Sequence, residues 1–448
     1  MVARSRPEPS RLERPAHRDP APPEAVSRSP QLLDLVTPAG NRAVGRFVRA
    51  LQRAPDYTQT VQDVDKTGIT RLEVRGLKYG VDDFWSKYGD DPDDVSDERN
   101  LTSESPKHMA VVLMPDKLHT DKPVEVILHF HGWGFRKNID PFAGYLIRPG
   151  GKVRDVDQEH WEHQISSLKG QGAQVVAILA QGRGKSDFSS FPTFEYVRDV
   201  LEKSKVPELV DLAKSENYSI VLSAHSGGGS MKVVPILGTG EADTADASAL
   251  KSQAADKKEG RVINKLKPID LVVLYEALNG DRDVDLVMNW VDSQLARIVS
   301  QLKDTADKAL AATPTLRGYY GKRKSGYREH YRWLACRINE AIESRVPEEF
   351  RQDVADRFRI IEVVGPKGEN VEHEEVISGT GAKTSGSLAD ALLAARNPQS
   401  DRAQAVAPDE DECKQLKARA AQRAKARAEA AKRAEAAKRA KAAKDQKP

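Results

Sequence analysis

The chain has 448 residues, with 70 Lys and Arg against 67 Asp and Glu and a formal net charge of +3. Two cysteines exclude a disulfide-dense scaffold, and no apolar run is long enough to span a membrane. The charge balance hides an asymmetry: over 414–447 thirteen basic residues stand against three acidic ones, so the rest of the chain is net acidic.

The first segment, 1–30, is rich in Pro, Arg, Ser and Glu and has few large apolar groups. It cannot bury enough surface to fold, so disorder is expected. It contains no continuous apolar run, so no secretory signal peptide is expected there, and the acids Glu8, Glu13, Asp19 and Glu24 argue against a transit peptide. A cytoplasmic location in the producing cell is expected. The next segment, 31–54, reads as a short basic amphipathic helix with Val44, Phe47, Val48 and Leu51 on one face. Such a helix either docks on a partner's groove or packs on the main domain.

A folded domain is expected over 68–400, ample for a full core. Its opening strands are 68–74 and 108–114. The acidic run at 90–94 lacks the glycine and glutamate of a calcium loop and reads as solvated. A third strand, 124–130, runs into His131-Gly132-Trp133-Gly134. A helix at 159–168 carries His160 and His163 with no third ligand, so no metal or other cofactor is expected. The strand 174–180 ends at Gln181, and the glycines of the loop 182–188 are not spaced as a Walker loop. Two helices, 194–203 and 206–214, lead to the strand 218–222.

That strand enters Ser223-Ala224-His225-Ser226-Gly227-Gly228-Gly229, and a helix-like segment follows at 230–237. Strand, sharp turn and helix in that order are the context of a nucleophilic serine. Residues two before and two after the serine, Ala224 and Gly228, are small, as a tight turn on a neighbouring strand requires. The N–H of Gly227 then points at a developing oxyanion. The competing reading is a glycine-rich turn with no chemistry. A small-residue and charged insert at 238–260 reads as a mobile loop. Beyond it lie a strand 270–275 ending in Glu276, a helix 284–310, a strand 315–320 and a helix 328–344. A last strand at 358–364 leads to a loop with His373, and a helix closes the domain at 387–396. Alternating strands and helices imply a mostly parallel sheet with helices on both faces. Sites in such sheets lie at the carboxyl ends of the strands, which puts Ser226, Trp133, Glu276 and His373 on one rim. The tail 405–448 is rich in Ala, Lys and Arg and favours helix. It reads as a solvated appendage or as the docking element for an anionic partner.

Residues 70–396 resemble the α/β-hydrolase fold, on the strength of the Ser226 turn and the upstream His-Gly-x-Gly. The resemblance implies a triad in the order serine, acid, histidine, which selects Ser226, Glu276 and His373. Asp281 and Asp283 are alternates for the acid. His330 falls inside a helix, and His225 is expected at the sheet–helix junction. The resemblance also implies a second oxyanion donor at the N–H of Trp133. His131 and Gln181 either contact substrate or are ordinary core and loop residues. The implied activity is serine-dependent hydrolysis of an acyl bond, an ester in the first instance. An acyltransferase, or a hydrolase-fold cargo protein without activity, are the alternatives. Segment 31–54 is similar to the N-terminal segment of many bacterial proteins encoded with extracellular contractile injection systems, including their cargo. It implies particle components as partners.

Overall fold

The structure, a computed structural model, describes residues 59–61, 68–79, 108, 110–132, 161–180, 192–215, 217–238, 269–311, 313–322, 326–365, 370–371, 373, 375–378, 391–392 and 405–445. The expected segments 1–30 and 31–54, the acidic run, most of the insert after 238 and most of the helix at 387–396 lie outside these residues.

Nine strands form one sheet: β1 (Gln59–Val61), β2 (Ile69–Val74), β3 (Ala110–Pro115), β4 (Val124–Phe130), β5 (Val175–Ala180), β6 (Tyr218–His225), β7 (Leu271–Tyr275), β8 (Thr315–Gly321) and β9 (Phe358–Val363). Their spatial order is β1-β2-β3-β5-β4-β6-β7-β8-β9. The pairs from β1 to β5 are antiparallel, and those from β5 through β4 to β9 are parallel. Parallel strands are covered on both faces and therefore read as near-continuous apolar runs. β5 and β7 are buried throughout.

Around the sheet lie α1 (Trp161–Gly170), α2 (Thr193–Lys203), α3 (Pro207–Ser215), α4 (Val234–Gly238), α5 (Asp281–Ala311), α6 (Gly326–Arg345), α7 (Arg351–Ala355), α8 (Glu375–Ser378) and α9 (Glu410–Asp445). Side chains alternate across each strand, so one strand feeds two cores. Val126, Leu128 and Phe130 of β4 join the larger core with Tyr196, Val287 and Leu334. Ile127 joins the opposite core with Trp161, Ile165 and Leu168. The expected two-faced, mostly parallel sheet is therefore present.

The strand order also fixes where a ligand binds. The chain leaves β4 toward β5 on one side, and leaves β6 toward β7 on the other. The carboxyl ends of β4 and β6 thus flank the topological switch point, where connections part and leave a crevice.

The tail is joined to the domain over its first half. Cys413 of α9 is disulfide-bonded to Cys336 of α6, a pairing that the two-cysteine count did not suggest. Only the packing of α9 on α6 brings the two sulfurs together across 77 residues of sequence. Leu416 is buried in the main core. Arg332 grips both carboxylate oxygens of Glu412. Arg423 and Arg427 both bind Asp281, at the start of α5, and Arg423 also reaches Glu329.

Candidate active site

β6 ends at His225, and the backbone then turns sharply. Ser226 adopts φ +50°, in the left-handed region that L-residues rarely occupy. The turn is held from both sides. The Ser226 N–H donates to the Tyr275 carbonyl at 2.8 Å, and the Gly229 N–H donates to the Ser226 carbonyl at 3.1 Å. Strain of this kind persists only where its surroundings over-determine it.

The surroundings do so through glycines. A Cβ on Gly228 would lie 2.2 Å from the Phe130 carbonyl oxygen, and one on Gly132 would lie 2.9 Å from the Ser226 Cβ. The backbone after β4 therefore lies directly against the serine turn. The N–H of Gly227 sits in the first helical turn, where no intrahelical acceptor exists. The helix after it opens as a π-turn over Gly229–Val233.

Glu276 follows β7 and also has positive φ, at +42°. Its N–H donates to the Tyr319 carbonyl at 2.8 Å. The Tyr331 hydroxyl donates to the Leu274 carbonyl and accepts from the Ala277 N–H, each at 3.0 Å. These bonds fix the end of β7. Glu276 is 3% exposed. One oxygen accepts from the Gly321 N–H at 2.8 Å, and the other is hydrogen-bonded to His373 Nδ1. The alternate acids are engaged elsewhere. Asp281 binds Arg423 and Arg427, and Asp283 binds the Ser230 hydroxyl and the Asn279 N–H.

Two rings pack on His373. Tyr327, at the start of α6, stacks on it at 5.1 Å and 9°. His225 lies at 4.5 Å and 35°, and its Nε2 donates to the His373 carbonyl at 3.2 Å. His225 is thus turned toward the histidine loop and not into the sheet–helix junction. Ser226 is buried, and its hydroxyl is hydrogen-bonded to the Tyr327 hydroxyl at 3.3 Å. Among the described residues no hydrogen bond joins Ser226 directly to His373. Burial pushes the Tyr327 phenol up; the Ser226 bond opposes this and the Glu276 charge adds to it.

His131 is buried, with Nδ1 at 2.9 Å from the Gly132 carbonyl. Trp133 and Gln181 lie outside the described residues. His330 sits on α6 against Asp281. Among the described residues no cluster of His, Cys, Asp or Glu suited to a metal occurs, and no helix is long and apolar enough to cross a membrane. The sequence reading missed Tyr327 and the orientation of His225. A histidine beside the serine was a visible signal for the second; nothing in the sequence marked the first.

No family model matches the chain, and no curated protein matches it. Solved structures with a similar course include esterase B from Lactobacillus rhamnosis inhibited by a tributyrin phosphonate. It has 11% identity and TM-score 0.26, over 72% of this chain and 82% of that one. Brefeldin A esterase, a bacterial homologue of human hormone sensitive lipase, has 14% identity and TM-score 0.26, over 67% and 73%. Candida antarctica lipase A in its closed state has 13% identity and TM-score 0.25, over 68% and 55%. It is the chain's own strand order, with its switch point between β4 and β6, and not these distant likenesses, that makes this an α/β-hydrolase fold.

Proposed function

We propose that the protein is a serine hydrolase that cleaves an acyl ester. The observation that carries this reading is the Glu276–His373 hydrogen bond at the same sheet edge as the left-handed turn of Ser226. A buried carboxylate on Nδ1 keeps that nitrogen protonated, so Nε2 of the neutral ring is the proton acceptor. A serine hydroxyl is a poor nucleophile alone and needs such a base.

In the proposed cycle the Ser226 O–H turns to His373 Nε2. Oγ forms a bond to the ester carbonyl carbon, the carbonyl π pair moves to its oxygen, and the proton passes to Nε2. The intermediate collapses, the alkoxide leaves with the proton from Nε2, and an acyl-serine remains. Water repeats the sequence and releases the acid. The N–H groups of Gly227 and Trp133 are the proposed oxyanion donors.

A fluorophosphonate probe tests the reading, because it reports an activated serine whatever the natural substrate. The wild-type chain should be labelled and should cleave a p-nitrophenyl acyl ester. Ser226→Ala should lose both, by on the order of a thousandfold or more. Undiminished activity in that variant rejects the site. For 31–54 we propose a portable packaging role in a contractile injection particle. Removing 1–54 should preserve hydrolysis and reduce co-purification with the particle; normal loading of the truncated chain overturns that role.

A further inference from the structure

We infer that Tyr327 is a further catalytic residue: its hydroxyl donates a hydrogen bond to Ser226 Oγ while its ring holds the His373 imidazole in plane. This rests on the serine hydrolase reading above and adds to it a residue outside the triad.

Geometry supplies both halves. The two hydroxyls are 3.3 Å apart, and the two rings are nearly parallel at 5.1 Å. One side chain therefore touches the attacking atom and packs on its base. The direction of the hydrogen bond follows from chemistry. A phenol is a far stronger acid than an alkanol, so it is the better donor. Burial and the Glu276 charge keep that phenol protonated. With Tyr327 as donor, the Ser226 hydrogen is not consumed by this bond and remains available to His373.

The position also suits the reaction. Charge gathers on Oγ when it is deprotonated to attack, and again when it is expelled from the acyl-enzyme. A donor fixed on Oγ stabilises both events and needs no reorganisation. The backbone that brings Tyr327 in is already tied to the acid. The N–H of Gly321, at the end of β8, donates to Glu276, and α6 begins just beyond. The base of the site is then complete: Glu276 sets Nδ1, His225 holds the His373 carbonyl, and Tyr327 sets the ring plane and Oγ.

The experiment compares the full chain with Tyr327→Phe and Tyr327→Ala, by the second-order rate of fluorophosphonate labelling, by kcat and KM on a p-nitrophenyl ester, and by melting temperature. Phe keeps the ring and removes the donor. It should label about ten- to a hundredfold more slowly, with kcat reduced, KM little changed and the melting temperature of wild type. Ala removes the ring as well and should be slower than Phe. Labelling of Tyr327→Phe at the wild-type rate or faster overturns the donor role while the serine reading stands. Equal rates for Phe and Ala overturn the ring's role. A wild-type chain that does not label overturns the serine reading, and the role of Tyr327 with it.

Discussion

At the scale of single residues, the site depends on atoms with no room to move. Gly228 illustrates this: a methyl group there meets the Phe130 and His131 carbonyl oxygens at 2.2 and 2.5 Å. Backbone cannot yield as a flexible side chain does. Gly228→Ala should therefore cost about 3 kcal/mol or more, read as a lower urea midpoint. Glu276 makes a different case. Its two oxygens serve two donors, Gly321 N–H and His373 Nδ1. Glu276→Gln keeps the shape, but its amide cannot accept at both positions, so the imidazole loses its tautomer and orientation. Activity on the p-nitrophenyl ester should fall by on the order of a hundredfold or more, but by less than in Ser226→Ala. Asp283→Asn should stay active, since Asp283 caps a helix start. Full activity in Glu276→Gln sinks the proposed role of that carboxylate. The serine turn was legible in sequence because its requirements are local: small residues two either side of a serine. The grouping of Tyr327 with it was not, because 101 residues separate the two and no spacing encodes the approach of α6 to β6.

At the scale of elements, α9 is two helices in one. Over 410–427 it is tied to α6 and the start of α5 by Cys413, Leu416, Arg423 and Arg427. Over 428–439 every residue is exposed. Deleting 405–448 should lower the melting temperature by at least about 5 °C, whereas deleting 431–448 should leave it unchanged. Equal melting temperatures for the two truncations would sever α9 from the stability of the domain. The same junction sets a pH dependence. Burial alone would raise the Asp281 carboxyl, but Arg423, Arg427 and His330 outweigh it and hold it below its ordinary value. Burial holds His330 below its ordinary value too, aided by Arg423 and opposed by Asp281 and Glu329. Both groups bind a proton less readily folded than unfolded, so their contribution is present at neutral pH and is lost on acidification. The loss starts below about pH 6.5 for His330 and below about pH 4 for Asp281. Urea midpoints measured from pH 8 down to 4 should show the first decline, and His330→Gln should flatten it.

At the scale of the whole molecule, the disulfide closes a loop of 77 residues between α6 and α9. Such a closure contributes about 2–4 kcal/mol, chiefly by restricting the unfolded chain. Reducing conditions keep thiols reduced, so the domain should be less stable with Cys336 and Cys413 reduced than with the disulfide formed. Thermal unfolding with and without dithiothreitol measures this directly, and Cys413→Ser should behave as the reduced wild type. Any binding of an anionic partner by the tail falls to the exposed distal half, since part of the proximal charge is already neutralised by Asp281, Glu329 and Glu340. That binding should weaken with salt and survive mutation of Arg423.

The sequence by itself determined eight of the nine strands, all but β1, with their order along the chain, the two-faced sheet they imply, and the turn at Ser226. Each of these is set by neighbours in sequence: apolar runs that must be covered, and a glycine-rich bend that only small residues permit. The tertiary structure alone decided which carboxylate meets His373, since Glu276, Asp281 and Asp283 are close in sequence and differ only in where the end of β7 points them. It alone brought Tyr327 and His225 to the histidine, and it alone tied the basic tail to the domain through Cys336 and Asp281. Those outcomes depend on how α6 and α9 pack across the sheet, and packing over such distances leaves no periodic mark in the chain.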